Sequence, residues 1–233
     1  MKIFTYVKDK SSRIERKNFQ LIDQTPLWKV LLYELNHIGC PIYVDTDSKK
    51  VLKESERDSN LSNLISYERK QKFIEMEEDP NNLLSPALLM LEDFLNEYVE
   101  DEDETIVLTH VTSPFLSKET VLDAVNLYEE GQYDYIHSVN REKDFAFLET
   151  FQNPINFNPQ VVQRTQDLPA IYFSNGAFFI FNKKVFMKEK NRWGKNILFY
   201  PLDTIEGIEI DYEEDLRLAK FVFKGMGIKN ELN

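Results

Sequence analysis

Residues 8–18, KDKSSRIERKN, concentrate positive charge in an otherwise acidic protein. Five of these residues are basic and two are acidic, whereas the whole chain of 233 residues has a net charge of −12. The segment directly follows MKIFTYV, which predicts a first β-strand, and a basic loop at that place in an α/β protein is suited to binding a triphosphate. Ser11 and Ser12 would add hydroxyl donors, although the segment could also be a solvated surface loop. The basic residues are Lys8, Lys10, Arg13, Arg16 and Lys17.

Glu209 and Asp211 form a second candidate site. The segment GIEID predicts a strand, in which residues two apart point to the same face, so the two carboxylates would project together. Mg²⁺ is typically held by one or two carboxylates together with substrate phosphates. The pair therefore indicates a magnesium site or, alternatively, an exposed strand end before an acidic helix start at Glu213.

Two further polar segments lie next to predicted strands. Residues 110–114, HVTSP, follow a strongly apolar strand, and ligands of open α/β sheets bind outside the carboxyl ends of strands. His110 could be an acid–base group, a hydrogen-bonding partner of a substrate or an ordinary turn residue. Asn175 and Gly176 precede an aromatic strand and alone predict only a turn. Arg164 could clamp a substrate carboxylate or lie at the surface.

Strand and helix signals alternate along the chain, which predicts an α/β fold with a mainly parallel sheet covered by helices on both faces. The alternation stops between residues 140 and 167, which predicts an insertion or a protruding hairpin. The predicted strands are MKIFTYV, PIYV, Leu64–Tyr67, TIVLT, YDYIHSV, GAFFIF and GIEID. The predicted helices run from Pro26 to Ile38 with Thr25 as N-cap, from Ser48 to about Arg57, and from starts at Ser85, Ser117 and Glu213.

The composition is that of a globular protein with one domain, residues 1–233. Hydrophobic residues make up 42% of the chain and charged residues 29%, which is ordinary for a soluble protein. The acidic balance argues against nucleic acid or an anionic membrane as the main partner. Cys40 is the only cysteine, and neither a signal peptide nor a membrane span is evident, so a cytoplasmic location is expected.

Six segments, taken in order, resemble motifs of the acylneuraminate cytidylyltransferase family, the CMP-sialic acid synthetases and their relatives. The basic loop matches at Ser11, Arg13, Ile14, Lys17 and Asn18. The other segments are DTDS at 45–48, the arginine Arg69, HVTSP at 110–114, RTQDLP at 164–169 with NGA at 175–177, and IEIDYEEDL at 208–216. The chain departs from the family pattern at Lys8, Lys10, Glu15, His110 and Glu209, where arginine, glycine, proline, glutamine and aspartate are usual.

The resemblance implies a Rossmann-like, mainly parallel sheet of the nucleotide-diphospho-sugar transferase type with a small protruding dimerisation element at residues 140–167. It implies transfer of CMP from CTP to a sialic-acid-like 2-keto sugar acid, which gives a CMP-sugar and pyrophosphate, with Mg²⁺ as cofactor and a homodimer as the assembly. Two alternatives stay open. The chain could be a catalytically impaired, nucleotide-binding regulatory or partner subunit, or a nucleotidyltransferase for a different sugar.

The resemblance also implies roles for individual residues. The catalytic residues would be Lys17 and Asp211. The nucleotide would contact Lys8, Ser11, Arg13, Lys17, Asn18 and Arg69. The sugar acid would contact His110, Ser113, Arg164, Gln166 and Asn175, and the metal ligands would be Glu209 and Asp211.

Overall fold

A seven-stranded mixed sheet forms the centre of the protein in the computed structural model, which describes residues 1–150, 153–161 and 163–227. The strands are β1 (Lys2–Val7), β2 (Leu21–Ile22), β3 (Thr25–Pro26), β4 (Ile42–Thr46), β5 (Leu64–Glu68), β6 (Thr105–Thr109), β7 (Tyr135–Glu142), β8 (Phe147–Leu148), β9 (Asn153–Pro154), β10 (Ile171–Asn182) and β11 (Ile197–Pro201). The helices are α1 (Leu27–Asn36), α2 (Lys49–Ser55), α3 (Gln71–Glu78), α4 (Ala87–Tyr98), α5 (Lys118–Glu129), α6 (Lys183–Glu189) and α7 (Glu213–Gly225).

The order of strands in the central sheet is β11-β7-β10-β6-β1-β4-β5. All of its strands run in one direction except β10, which is antiparallel to both of its neighbours. The predicted mainly parallel sheet flanked by helices is therefore confirmed. The five residues of β6 are all buried, as expected for a strand that is covered on both faces.

Three apolar clusters hold the layers together. One packs α1 and α5 against a face of the sheet, and a second packs α4 and Phe186 of α6 against the other face. The third cluster joins Ile14 of the basic loop to Ile210 and to Leu216, which lies in α7. Because Ile14 and Ile210 are both fully buried there, the basic loop and the acidic segment around Asp211 are brought to the same end of the sheet.

Several predicted elements differ from the structure. GIEID is not a strand; Ile210 donates its N–H to the Thr112 carbonyl at 2.8 Å. The segment crosses the end of the sheet instead of joining its ladder. Pro26 is the N-cap of α1, and Thr25 pairs with Ile22 in a short ribbon, so the predicted start of that helix was one residue early.

The sequence patterns also missed α3, α6 and the edge strand β11. Helix α3, QKFIEMEE, buries only Phe73, so its sequence has no continuous apolar stripe that would reveal it. Strand β11 pairs in parallel with β7 on one side only. Among the described residues, no helix is both long and apolar enough to span a bilayer.

Residues 143–170, termed the arm, leave the sheet between β7 and β10. The arm contains a short antiparallel ribbon in which Phe147 pairs with Pro154 and Leu148 with Asn153. Phe147 and Ile155 expose 59% and 56% of their surface. The structure thus contains a ribbon where the sequence predicted an insertion, and its role in dimerisation stays a prediction.

Candidate active site

A cavity of about 550 Å³ opens at the carboxyl ends of β4, β1 and β6. This is the edge where open α/β sheets bind ligands, and the volume is in the range of small-molecule sites. Most of the predicted site residues line it: Lys8, Ser11, Arg13, Lys17, Asn18, His110, Glu209 and Asp211. Asp47 and Thr112, from the segments DTDS and HVTSP, line it as well. Lining residues outside every segment that the sequence singled out are Tyr6, Ile74, Glu77 and Glu78.

Asp211 is ion-paired with two cations of the basic loop. Lys17 Nζ lies 3.0 Å from Oδ1 and 2.8 Å from the Ile210 carbonyl oxygen, and Arg13 Nη1 lies 2.6 Å from Oδ2. Partial burial acts to raise the pKa of Asp211, but the hydrogen bonds and charges of Lys17 and Arg13 outweigh it, so the pKa lies below its ordinary value. The carboxylate is therefore ionised at neutral pH.

The basic loop is shaped by its own backbone and by Asn18. Arg16 has a left-handed backbone with φ 49°, which starts a short 3₁₀ turn at Lys17–Phe19. The Asn18 side-chain amide donates to the Lys8 carbonyl at 2.9 Å and closes the base of the loop. Its Oδ1 is buried and has no hydrogen-bond partner among the described residues. This acceptor is free for a ligand that carries a donor group.

Every basic side chain of the loop is ion-paired with a carboxylate. The pairs are Lys8–Glu77 at 2.8 Å, Lys10–Glu78 at 3.4 Å, Arg13–Asp211 at 2.6 Å, Arg16–Asp9 at 3.6 Å and Lys17–Asp211 at 3.0 Å. Glu77 and Glu78 end α3, the helix that the sequence patterns missed, and the acidic run EMEED was the only local signal for them. An anionic ligand would therefore replace protein carboxylates around cations that are already in position.

Arg69 lies behind the side of the cavity that the basic loop and the end of α3 form, and it does not line the cavity. Its side chain is fully buried, with Nε 2.6 Å from Asp45 Oδ1 and Nη1 3.1 Å from Glu77 Oε2. Burial raises the pKa of Asp45 and outweighs the lowering effect of Arg69. The observed contacts of Arg69 are those of a buried ion pair, and its predicted contact with a nucleotide stays a prediction.

His110 and Glu209 form the wall of the cavity opposite the basic loop. His110 Nε2 lies 2.9 Å from the Tyr6 hydroxyl, and its Nδ1 lies 3.9 Å from Glu209 Oε1. Thr112 Oγ1 donates to the same glutamate oxygen at 3.4 Å. Gly176 has φ +68°, and a Cβ there would lie 3.0 Å from His110 Nδ1 and 3.2 Å from Glu209 Oε1. A side chain at position 176 would therefore both strain the backbone and crowd these two groups.

Asn175 lies beside this wall but turns its side chain into the sheet. Its Oδ1 accepts from Ser138 Oγ at 2.7 Å, and its Nδ2 donates to Asn140 Oδ1 at 2.8 Å. These bonds hold β10 where its pairing with β7 shifts register, between Ser174 and Phe179. In this chain Asn175 shapes the strand next to the cavity instead of lining it.

The remaining predicted substrate residues are not brought to the cavity of this chain. Ser113 is 1% exposed, and its Oγ has no hydrogen-bond partner among the described residues. Arg164 lies in the arm, where its half-exposed partner Asp167 binds it at 2.7 Å. Gln166 is an exposed neighbour whose carbonyl accepts from Lys143 at 2.6 Å. Contacts of these residues with a substrate stay predictions.

The donor set fits a magnesium ion better than a metal held by protein ligands alone. Within residues 1–150, 153–161 and 163–227, no group of three or more His, Cys, Asp and Glu side chains is arranged to hold a metal. Glu209 and Asp211 do line the same cavity. Mg²⁺ commonly takes one or two carboxylates and completes its shell with phosphate oxygens and water. Two carboxylates beside a basic loop satisfy that requirement.

The chain is similar to several known proteins. The family model described as cytidylyltransferase matches residues 9–226. The N-acylneuraminate cytidylyltransferase of Streptococcus agalactiae serotype V is 26% identical over 163 residues, which cover 68% of this chain and 39% of that protein. N-acylneuraminate cytidylyltransferase A of Danio rerio is 23% identical, over 90% of this chain and 47% of its own length. The chain thus spans less than half of these relatives.

A relative of similar length also matches, as do solved structures. Post-translational flagellin modification protein B of Campylobacter coli is 19% identical over 92% of this chain and 91% of its own length. A CMP:2-keto-3-deoxy-manno-octonic acid synthetase solved with CTP has a TM-score of 0.65 at 10% identity, over 96% of this chain and 98% of that one. This likeness shows a shared fold. Since the family model extends over nearly the whole chain, the protein belongs to the cytidylyltransferase family.

Proposed function

We propose that the protein transfers CMP from CTP to a sialic-acid-like 2-keto sugar acid and releases pyrophosphate. The observation that carries the proposal is Asp211, which Lys17 and Arg13 hold on the cavity wall between the basic loop and Glu209. In this reaction a sugar hydroxyl oxygen forms a bond to the α-phosphorus of CTP, and the bond from that phosphorus to pyrophosphate breaks. Negative charge develops on the phosphate oxygens, beside a loop that carries five cations.

Catalysis in this proposal depends on positioning and charge stabilisation. Lys17 would offset the charge that develops on the α-phosphate, where a preorganised donor is most effective. Lys8, Ser11 and Arg13 would bind the other phosphates, and the unpaired Oδ1 of Asn18 would accept a donor of the nucleotide. Glu209 and Asp211 would hold Mg²⁺. When bound, the ion would supply electrostatic stabilisation of the charge that develops on the phosphate groups.

A pyrophosphate-release assay tests the proposal. The protein, CTP and Mg²⁺ are incubated with a panel of nonulosonic acids and Kdo, with GTP and UTP as control nucleotides. Release that requires CTP, Mg²⁺ and one of the sugar acids supports the proposal. Release with a different sugar or sugar phosphate would instead support a nucleotidyltransferase of other specificity.

A second candidate is a nucleotide-binding relative that has lost turnover and serves as a regulatory or partner subunit. The paired state of the loop favours it: Lys8 and Lys10 replace the usual arginine and glycine, and both are engaged by Glu77 and Glu78. Thermal stabilisation by CTP without turnover on any sugar of the panel would support this candidate and contradict the first.

We also propose a homodimer that forms through the arm and works in the cytoplasm. The apolar side chains exposed on the arm, such as Phe147, Leu148 and Ile155, support the first part. The single Cys40, which leaves no internal disulfide to form, supports the second. Light scattering of the full chain and of a Phe147→Ser/Ile155→Ser variant tests the assembly. A monomeric wild type, or an unchanged mass in the variant, would contradict an interface formed by the arm.

A further inference from the structure

Glu77, near the end of α3, bridges two cations from different parts of the chain. Its Oε1 lies 2.8 Å from Lys8 Nζ in the basic loop, and its Oε2 lies 3.1 Å from Arg69 Nη1. Arg69 is also paired with Asp45, whose Oδ1 lies 2.6 Å from Nε. The side chain of Arg69 is fully buried, whereas that of Lys8 is 39% exposed. These four side chains therefore form a row of alternating charge that runs from the interior to the cavity.

The two partners of Glu77 are held to different degrees. Arg69 is fixed by Asp45 and by its own backbone N–H, which donates to the Thr46 carbonyl at 2.8 Å. Lys8 lines the cavity and has no second ion pair among the described residues. Its amine is a single charge on a flexible stem. A ligand in the cavity can therefore draw Lys8 away, while Glu77 stays with Arg69.

The charge of Glu77 acts on the cavity once Lys8 has moved. Arg69 supplies one positive charge for two carboxylates, and Lys8 supplies the second. The side chain of Glu77 is only 16% exposed, whereas that of Glu78 is 60% exposed. Water and salt therefore screen the charge of Glu77 less than that of Glu78. Glu77 is thus a fixed competitor of any phosphate that binds Lys8.

We propose that Glu77 promotes the release of pyrophosphate by taking Lys8 back from it. This inference rests on the proposed function, in which Lys8, Ser11 and Arg13 bind the phosphates that leave as pyrophosphate. In CTP these phosphates are tethered to a bound nucleoside. After the bond to the α-phosphorus breaks, the loop holds pyrophosphate by its own contacts alone. A carboxylate that recaptures one of the cations then weakens this hold.

The number of cations in the basic loop explains why a competitor matters. Five basic side chains lie within residues 8–18, and free pyrophosphate is a small anion with several charges, so their mutual attraction outlasts the reaction. Product release limits the turnover of many enzymes. Glu77 is in this view a positioning residue, because it acts on the leaving group through Lys8.

Calorimetric titration with pyrophosphate at low salt tests the competition. Glu77→Gln keeps an acceptor oxygen for Arg69 Nη1 but removes the charge that holds Lys8. The variant should bind pyrophosphate about tenfold more tightly than the wild type, while the affinity for CMP should stay within about twofold. Unchanged or weaker binding of pyrophosphate would overturn the proposal, and an equal gain for CMP would overturn the assignment to the leaving group.

Glu75→Gln is the matched control. It removes the same charge from α3, but Glu75 is exposed and lies outside the cavity lining, so pyrophosphate affinity should stay within about twofold. A tenfold gain in this control would overturn the proposal, because net charge alone would then explain the result.

A double-mutant cycle tests whether Glu77 acts through Lys8. In a Lys8→Met background there is no amine to release, so the gain from Glu77→Gln should shrink to about threefold or less. A gain that remains tenfold would overturn the role of Lys8.

A structure of the wild-type protein with pyrophosphate tests the same point without any variant. Lys8 Nζ should contact a phosphate oxygen and lie beyond hydrogen-bond distance of Glu77, while Glu77 stays on Arg69. Lys8 still on Glu77, or Glu77 detached from Arg69, would overturn the proposal.

Product inhibition tests the role in turnover. With CTP and an accepted sugar acid, pyrophosphate should inhibit Glu77→Gln at about a tenfold lower concentration than the wild type, and KM for the sugar acid should stay within about twofold. Equal inhibition of the two proteins would overturn the role in release. If the wild type shows no turnover with any sugar acid, the proposed function fails, whereas calorimetry still decides whether Glu77 competes for Lys8.

Discussion

The two sides of the cavity use their cations in opposite ways. On the loop side, formed by residues 8–18 with Asp211 and the end of α3, each basic side chain already has a carboxylate partner. On the strand side, formed by Tyr6, His110 and Glu209, the nearby Arg192 has no carboxylate partner among the described residues, and its Cζ lies 4.6 Å from the centroid of the Phe179 ring.

The difference indicates what each side must do when a ligand arrives. The exposed pairs Lys10–Glu78, Arg13–Asp211 and Arg16–Asp9 contribute only about 0–1 kcal/mol each, so an anionic ligand can replace these carboxylates at small cost. The strand side needs no such exchange, because His110 bonds to the Tyr6 hydroxyl at 2.9 Å and its Nδ1 lies 3.9 Å from Glu209 Oε1, too far for a hydrogen bond. The loop side is therefore adapted to exchange of ionic partners, and the strand side is organised before binding.

The largest effect is expected at Asp211, the carboxylate that pairs with both Lys17 and Arg13 and is a proposed metal ligand. Asp211→Asn removes a proposed metal ligand and the partner of Lys17 and Arg13. Loss of metal-dependent charge stabilisation is worth several kcal/mol, so turnover should fall at least about a thousandfold. Pyrophosphate release measures the loss, and circular dichroism should show an intact fold. Glu213→Gln, an exposed neighbour, is the control, and near-normal activity of Asp211→Asn would rule out the metal assignment.

Arg69 tests whether the buried end of the loop side is structural. Arg69→Met leaves Asp45 ionisable and 3% exposed without its partner, which should cost about 3–5 kcal/mol of unfolding free energy. Urea denaturation without nucleotide measures this loss. The double variant Arg69→Met/Asp45→Asn should recover part of it, because it also removes the unpaired carboxylate. If stability is unchanged and only CTP affinity falls, Arg69 is a nucleotide ligand and not a structural ion pair.

His137 supports the strand side from behind and should make its stability depend on pH. The ring stacks on Phe179 at 4.2 Å. Burial lowers its pKa to about 4, the charge of Arg192 acts in the same direction, and a backbone hydrogen bond opposes both. The unfolded chain binds a proton near pH 6.5 and the folded chain only near pH 4, so stability is lost as the pH falls through this window. At pH 4 the loss should reach roughly 3 kcal/mol.

Urea denaturation between pH 7 and pH 4.5 compares the wild type with His137→Phe. The variant lacks the titrating group, so the wild type should lose stability more steeply than the variant as the pH falls. Parallel pH profiles of the two proteins would show that His137 is protonated equally easily in the folded and unfolded states. The comparison uses the difference in slope, because other carboxylates titrate in both proteins alike.

The smallest effect is expected at Glu78, the most exposed carboxylate of the loop side. Its pair with Lys10 joins side chains that are 60% and 85% exposed. Glu78→Gln releases Lys10 and should tighten CTP binding about two- to threefold at low salt, with no gain in high salt. Calorimetric titration measures the affinity. Glu75→Gln changes the same charge on α3 outside the cavity lining, and an equal gain there would show that only net charge matters.

The sequence revealed the parts of the site that are local in the chain. The basic loop and the pair Glu209 and Asp211 were found because residue type and spacing alone mark them, and both line the cavity. The prediction of a strand at GIEID was wrong. Alternate side chains point to opposite sides in any extended segment, so the pattern of residues does not show that the segment joins a sheet. Ile210 is buried between its two acidic neighbours all the same, so the inference about the carboxylates held although its structural reason did not.

The missed parts depend on packing between distant segments. Tyr6 meets His110 across 104 positions of the chain, and no local pattern around either residue indicates that contact. Arg69 was identified by its place after β5, but its burial in ion pairs with Asp45 and with Glu77 of α3 joins three separate segments. Motifs identify residue types that a site requires, whereas tertiary packing decides which of them a ligand can reach.

Pairing between β7 and β10 closes the base of the arm. Glu142 and Ile171 face each other across β7 and β10, and pairing continues to Val139 and Ser174 before the register shifts. The ends of the arm are thus clamped by the same few residues whatever lies between them, and changes in loop length cost little free energy. A change in the length or sequence of the arm can therefore leave the strands beside the cavity in place.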